Sequence, residues 1–387
     1  MRLQHLARDE RGMSFVFVGV SFMAFMAATT LAIDVGMFMT ARSQAQNSAD
    51  AGALAGATAL VFNSYTDRSA GGPAVQGAIS AAKSNKVMTS SPAVAPPDVT
   101  FPTGPTGLNN RVQVQVYRTA GRSNPVPTLI GPIFGVPTVN INAVAVAEAS
   151  PANAETCVKP FTIPDKWQEG DGSAWNINST FDMYDSKGNL IPNHDIYRGS
   201  DDPNPTGYSV KNDIGLELRL KADNNTKMTA SFYNPWDLPG SVGGSDYRNN
   251  IANCNPAKFG IGVNMPPENG NMVGPTSQGM NDLILKDPSA NWDTGCNCVK
   301  NSHPADGSTG PSPRVVVIPV YDPVAYSEGK AHGKVITLKV TNYIGVFIED
   351  MRGGEVWGRI TPILGMTDSG LGPAPVGAFP MSIRLVQ

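Results

Sequence analysis

Proline is missing from the first 72 residues of this 387-residue chain, although 32 follow from Pro73 onward. A proline breaks or kinks a helix, so its absence leaves the N-terminal segment free to form one long helix, and its later abundance excludes long helices from most of the remainder. Charge is missing over residues 13–33, which are 21 positions without Asp, Glu, Lys or Arg. At about 1.5 Å per residue, a helix of that length crosses the roughly 30 Å hydrocarbon core of a bilayer. A basic excess is lacking too: 29 Lys and Arg stand against 32 Asp and Glu, a net charge of −3. That leaves no electrostatic footprint for nucleic acid, which is not an expected partner. Cysteine is scarce, and Cys157, Cys254, Cys296 and Cys298 all follow the uncharged stretch. An even number in that position suits an exported region in which disulfides persist.

What is present begins with continuity. Residues 13–33 run into Asp34-Val35-Gly36 and then into an alanine-rich polar segment, 34–62, which together read as one helix, half in lipid and half in water. Arg2, Arg8 and Arg11 precede the apolar span, and in the twenty residues after it only Arg42 is basic. The positive-inside rule therefore places residues 1–12 in the cytoplasm, 13–33 across the membrane and the chain from Asp34 onward outside. A cleaved signal peptide is the competing reading, with Ala28 and Ala32 as small residues for a peptidase. Its apolar core usually runs to only about 7–15 residues, so a retained anchor is expected.

Ala41, Ala45, Ala49, Ala53 and Ala57 recur every four residues, with Gly52 and Gly56 beside them. Such a row lets another helix backbone approach closely. Alanine is also the best helix former and fills exposed positions. A solvated helix would carry more charge than Arg42 and Asp50, which favours packing.

These residues together resemble a known family. Glu10-Arg11-Gly12, the apolar span, Ala32-Ile33-Asp34-Val35-Gly36, Ala41-Arg42 and the run from Asn47-Ser48-Ala49-Asp50 to Ala57 are similar to the N-terminal segment of TadE/TadG-like proteins. Those belong to the Tad (tight adherence, Flp) pilus-assembly machinery. Prepilin-like members carry a glutamate five residues past the cleaved glycine. If Gly12 is that glycine, Phe17 stands in its place, which points to the TadG-like branch of membrane-anchored assembly factors. Larger members of that branch carry a von Willebrand A domain with Asp-x-Ser-x-Ser. Asp171-Gly-Ser-Ala-Trp and Asp306-Gly-Ser-Thr-Gly each lack the second serine, so that domain is not expected.

In residues 63–150, the stretch 73–85 suggests a short helix. Arg111-Val-Gln-Val-Gln-Val-Tyr-Arg118 alternates as a strand with one buried face, residues 127–135 suggest a short apolar helix or turn, and residues 139–146 suggest a second strand. The resemblance implies that this unit packs against the upper part of the long helix. Residues 151–387 are rich in Gly, Pro, Asn and Asp, with β-type runs at 215–220, 314–320, 334–340, 343–348 and 356–360. They predict an irregular β-rich domain, for an α+β fold in all.

Candidate chemistry in that region is thin. Cys296-Asn-Cys298 with Asp293 and His303 has zinc-ligand types but not the usual spacing, so disulfides are favoured. A one-residue gap argues against a mutual bridge, so Cys296 and Cys298 are expected to reach Cys157 and Cys254, in either order. His194, His303 and His332 are scattered, without a Gly-x-Ser-x-Gly or His-Glu-x-x-His motif. Asp182, Asp185, Lys187, Gly188 and Asn189 lack the closing glutamate of a calcium loop. Residues 270–279 lack the Gly-Lys-Ser/Thr of a phosphate loop and suggest a turn. No metal, cofactor or catalytic group is therefore expected.

The sequence thus predicts a single-pass inner-membrane protein that works in assembly or anchoring of a Tad-type pilus. Its expected partners are membrane lipid and other pilus-assembly proteins or pilin-like helices, and it is not expected to be an enzyme. The alternative is a membrane-anchored extracytoplasmic hydrolase or metal-dependent binding protein.

Overall fold

The computed structural model describes residues 11–62, 67–104, 110–222, 227–308, 311–333 and 338–386. Arg2, Arg8 and Glu10, together with residues 334–337 of an expected strand, lie outside the described residues. The chain forms two units. One holds the chain through Ala57, Arg68–Glu148 and the residues from Leu385; the other holds Thr58–Asp67 and Ala149–Arg384.

The first unit is built on α1 (Arg11–Phe62), 52 residues without interruption. Its apolar beginning is exposed, Phe15, Phe22 and Phe25 among it, whereas from Asp34 onward one stripe is buried. A second helix, α2 (Pro73–Ser84), starts on a proline, which has no N–H to lose in the first turn. It buries Ala74, Ala78 and Ala82, spaced four apart, together with Val75 and Ile79. The strands of this unit are β1 (Val99–Thr100), β2 (Arg111–Arg118), β3 (Val126–Pro127), β4 (Thr138–Val139) and β5 (Ile141–Pro151). Antiparallel pairing of β2 with β5 runs from Arg111↔Glu148 to Arg118↔Ile141, and β1 flanks β2 through Val99↔Val114. Val112, Val114 and Val116 are fully buried, as their alternation predicts. Arg118 shares that face because four backbone carbonyls take up its guanidinium. It donates to the carbonyls of Val87, Ser90, Asn124 and Pro125 and ties two loops to the strand.

The second unit continues with β6 (Ala154–Glu155), β7 (Phe161–Pro164), β8 (Glu217–Ala222), β9 (Phe232–Pro235), α3 (Gly243–Ala252), β10 (Phe259–Gly260), β11 (Asn264–Met265) and α4 (Val273–Ile284). It ends with β12 (Asn291–Asp293), β13 (Cys298–Lys300), β14 (Val315–Tyr321), α5 (Pro323–Ala331), β15 (Leu338–Arg352), β16 (Glu355–Thr361) and β17 (Met381–Val386). Six of these strands close into a barrel in the order β14-β7-β9-β8-β16-β15, with β15 pairing back onto β14. The β7–β14 and β8–β9 pairs are parallel and the others antiparallel. Alternate residues fill one core: Leu218 and Leu220, Val316, Ile318 and Val320, Ile344, Val346 and Ile348, and Val356 and Ile360. Period-two burial of this kind is what a closed sheet imposes.

The fold is α+β, and three details differ from the sequence reading. The runs 334–340 and 343–348 are not separate strands, because their described residues lie in the single 15-residue β15. Residues 270–279 are not a turn: α4 begins at Val273, after Met272 in a left-handed conformation. The region is also less irregular than its composition implies, since barrel closure pairs strands far apart in sequence.

Candidate functional site

Asp34 is the first charge after the uncharged stretch, and it is buried at 8% exposure. Its carboxylate accepts three backbone N–H groups, from Leu129 at 2.9 Å, Ile130 at 3.3 Å and Gly131 at 3.0 Å. Hydrogen bonds to an ionised acceptor are the strong kind, so a carboxylate this enclosed pins the β3–β4 connection to the helix. The sequence reading treats Asp34 only as the end of the span. A lone acid following 21 uncharged residues is the signal that it has a partner, because a buried carboxylate is costly unless it is hydrogen-bonded.

Above Asp34 the alanine row turns inward. Ala41, Ala49, Ala53 and Ala57 are fully buried and Ala45 nearly so. What lies against the glycines belongs to the same chain. A Cβ on Gly52 would stand 3.1 Å from the Ala78 carbonyl, Ala82 Cβ and Val114 Cγ1, and one on Gly56 would stand 2.7 Å from Val112 Cγ1 and 3.2 Å from Ala78 Cβ. Ser48 Oγ donates to the Ala82 carbonyl at 2.8 Å, and Gln44 Oε1 accepts the Met88 N–H at 2.6 Å. The close approach suggested by the small residues is made by α2 and β2. Arg42, Ser43, Gln46 and Asn47 stay exposed on the other faces.

The cysteines pair differently from the expectation. Cys157 bonds Cys254, with Cα atoms 4.4 Å apart, and Cys296 bonds Cys298, with Cα atoms 5.2 Å apart. The first pair is brought together by the end of α3 and by the Cys157 N–H donating to the Asn255 carbonyl at 3.1 Å. The second lies at the exposed turn of the β12–β13 hairpin, where Asn297 adopts φ 49°. A left-handed residue, which asparagine tolerates, folds the two neighbours toward each other and removes the geometric objection to a one-residue gap.

Three of the buried ionisable groups of the second unit, Asp165, Lys159 and Glu155, carry large shifts, each with its own surroundings. Burial pushes the Asp165 carboxyl up to about 6, against the N–H groups of Lys166 and Tyr208 and the Tyr197 hydroxyl that donate to it. Burial likewise pushes Lys159 down to about 7, while its ammonium donates to the carbonyls of Ile251 at 2.7 Å and Asn253 at 2.9 Å. Glu155 is pushed up to about 8 by burial, and its Oε1 has no hydrogen-bond partner among the described residues. The first two are bound to backbone and brace loops.

The motif-like acids are turn formers. Asp171 accepts from the Ser173 N–H, Asp306 from the Ser308 N–H, and Asp185 from the N–H groups of Lys187 and Asn189. Asp293 accepts from the Gly295 N–H and pairs with Lys300, and His303 Nδ1 lies 2.9 Å from the Asn301 carbonyl. Among the described residues, no group of three or more His, Cys, Asp or Glu is placed to hold a metal. The tryptophans divide: Trp167 and Trp236 are core, whereas Trp357 lies under Arg352 at 4.4 Å from the ring centroid.

The N-terminal unit is thus a long helix with an exposed apolar beginning and a small-residue stripe covered by a short helix and a sheet. Residues 12–59 match the family model described as putative Flp pilus-assembly TadE/G-like. Over those residues the chain is similar to TadE/G-like Flp pilus-assembly proteins. No curated protein and no solved structure matches the chain.

Proposed function

We propose that this protein is a membrane-anchored, non-catalytic assembly or anchoring component of a Tad/Flp-type pilus, of the TadG-like branch. The observation that carries the reading is α1 itself. It is long and apolar enough to cross a membrane, its most apolar window is wholly exposed, and it continues without a break into a stripe that its own unit buries. A core helix of a soluble protein would hide that window. Phe17 at the position of the prepilin glutamate supports the TadG-like branch, and the arginines before the span support an N-terminus in the cytoplasm of an inner-membrane protein. The non-catalytic reading is supported by Asp165 and Lys159, whose polar atoms are engaged by backbone.

Partners meet the protein on the surfaces its own fold leaves open. These are the apolar span, for lipid and neighbouring pilin-like helices, and the polar faces carrying Arg42 and Asn47. The test is threefold: alkaline extraction of membranes, an export-dependent reporter fused after Ser150, and pilus counts in a deletion strain. Retention in the membrane, reporter activity outside the cytoplasm and loss of pili are expected. A soluble product starting near Ile33, or normal piliation, contradicts the reading.

A further inference from the structure

We propose that the β3–β4 loop is a second membrane contact, seated in the outer interface of the bilayer that α1 crosses, with lipid acyl chains filling the groove between loop and helix. This rests on the membrane-spanning reading above. Thr128-Leu-Ile-Gly-Pro-Ile-Phe-Gly-Val-Pro137 contains no charged residue. Its large apolar side chains point outward: Leu129 is 64% exposed, Ile133 80%, Phe134 67% and Val136 49%. A loop in water ordinarily hides such residues or replaces them with polar ones, and a cluster of four marks a contact surface.

The loop's backbone is what suits it to lipid. An apolar medium tolerates irregular backbone only where its N–H and C=O groups are satisfied internally. Here Asp34 takes the N–H groups of Leu129, Ile130 and Gly131. The Val136 N–H donates to the Gly131 carbonyl at 2.8 Å, the Ile133 N–H to Ile130 at 3.0 Å, the Gly135 N–H to Pro132 at 3.2 Å and the Thr128 N–H to Pro137 at 3.1 Å. Thr128 Oγ1 donates to the Val136 carbonyl at 2.6 Å. Gly131 is locked in the middle, because a Cβ there would fall 2.1 Å from the Val136 oxygen. These N–H groups are thus satisfied within the protein, while the apolar side chains face outward.

Position selects the occupant. A groove of about 400 Å³ between loop and helix is lined by Ala27, Leu31 and Phe38 on one side and Ile130, Phe134 and Val136 on the other. Ala27 and Leu31 belong to the uncharged stretch, about two turns and about one turn before Asp34. Any bilayer that covers residues 13–33 therefore reaches the loop as well, and lipid is the medium that meets this surface first. Amphipathic anchors sit about 5–10 Å into the headgroup and acyl boundary, the depth at which the loop lies beside the helix.

The experiment uses the full chain in vesicles of phosphatidylethanolamine and phosphatidylglycerol. A polarity-sensitive fluorophore is attached to one introduced cysteine, the four native ones being bridged. Phe134→Cys tests the loop, Phe25→Cys the span, and Gln76→Cys, exposed at the start of α2, is the aqueous control. Amide exchange in α2 and β2 checks folding of the unit that carries each variant. Probes at Phe25 and Phe134 are expected to show blue-shifted emission and quenching by nitroxide-labelled lipid, the Phe134 probe most strongly with shallow nitroxides, and Gln76 is expected to show neither. Quenching at Phe25 with water-like emission at Phe134 overturns the inference and spares the anchor. Blue-shifted but unquenched emission at Phe134 means that protein, such as a second copy, covers the loop, which also overturns it. No quenching at Phe25 removes the anchor reading on which both rest.

Discussion

The two units bury different chemistry. Among the described residues of the helical unit no aromatic side chain is buried, and its core is mainly alanine and valine. The barrel unit holds all the fully buried large aromatics, Trp167, Trp236, Tyr208, Tyr233 and Phe161 among them. A core of small residues works by bringing backbones together, so it gains little area per side chain and tolerates no added volume. A core of aromatics gains area generously but must be enclosed by strands distant in sequence, and this barrel adds a disulfide across 97 residues. One unit is therefore fragile to enlargement and the other to loss of its cross-links.

Removing the long-range bridge is the strongest way to test that contrast. The Cys157→Ala, Cys254→Ala double variant reopens a loop of 97 residues, for which the chain-entropy account gives about 4–5 kcal/mol and typical measurements about 2–5. All five tryptophans lie in the barrel unit, so the urea midpoint followed by tryptophan emission reads that unit directly. A midpoint unchanged by the double variant would mean that the strands alone enclose the core.

Next in size is a pH effect confined to the barrel. Glu155 has a folded pKa raised to about 8 from an ordinary 4.5. The folded state therefore keeps a proton that the unfolded chain releases. Below about pH 4.5 both states are protonated and the group is neutral in its effect. As pH rises from there to about 8, stability falls, with a slope of at most about 1.4 kcal/mol per pH unit. Glu155→Gln should flatten that decline, seen as a variant more stable than the parent at pH 8 by a margin that shrinks toward pH 5. Parallel curves for the two proteins would show that the carboxyl ionises in place.

In the helical unit the sensitive change is an added side chain. Gly56→Leu drives bulk into Val112 and Ala78, and overpacking of this kind typically costs about 1–3 kcal/mol. Amide exchange in α2 and β2 is the readout, and faster exchange there is expected. Ala49→Leu, from the buried row, should act in the same direction. If both leave exchange unchanged, the row is helix filler.

How far each unit can be read from its sequence follows from the range of its contacts. The long helix, the alanine row, α2 and β2 are legible in short windows, and each is present where its pattern places it. The partner of the row was not legible, because small residues state that something comes close without saying what. Nor was the Asp34 clasp, which joins residues 95 to 97 positions apart through backbone N–H groups that any side chain provides. Barrel closure was hidden for a similar reason: β8 and β16 pair through Leu218↔Gly358, residues whose order in the chain carries no trace of their adjacency. Composition there suggested irregularity, since glycine, asparagine and proline fill the connections and outnumber the short strands they join.

The smallest expected effect separates the two disulfides themselves. Cys296 and Cys298 are two positions apart, and closing so short a loop restricts the unfolded chain little, so the same entropic account allows about 1.5 kcal/mol or less. Their hairpin turn is exposed, and Asn297 is the left-handed residue that lets the bridge form. The Cys296→Ser, Cys298→Ser variant should therefore shift the tryptophan-reported midpoint far less than loss of the Cys157–Cys254 bridge. An equal shift would mean that the hairpin is a working part of the barrel's enclosure, reached through Trp292, which stacks on the buried Phe347 of β15 with ring centroids 6.3 Å apart. That contact is one route by which so local a bridge has a long reach, and Trp292→Ala in the disulfide-free variant tests it, because no further loss should follow if the bridge acts by holding that ring in place.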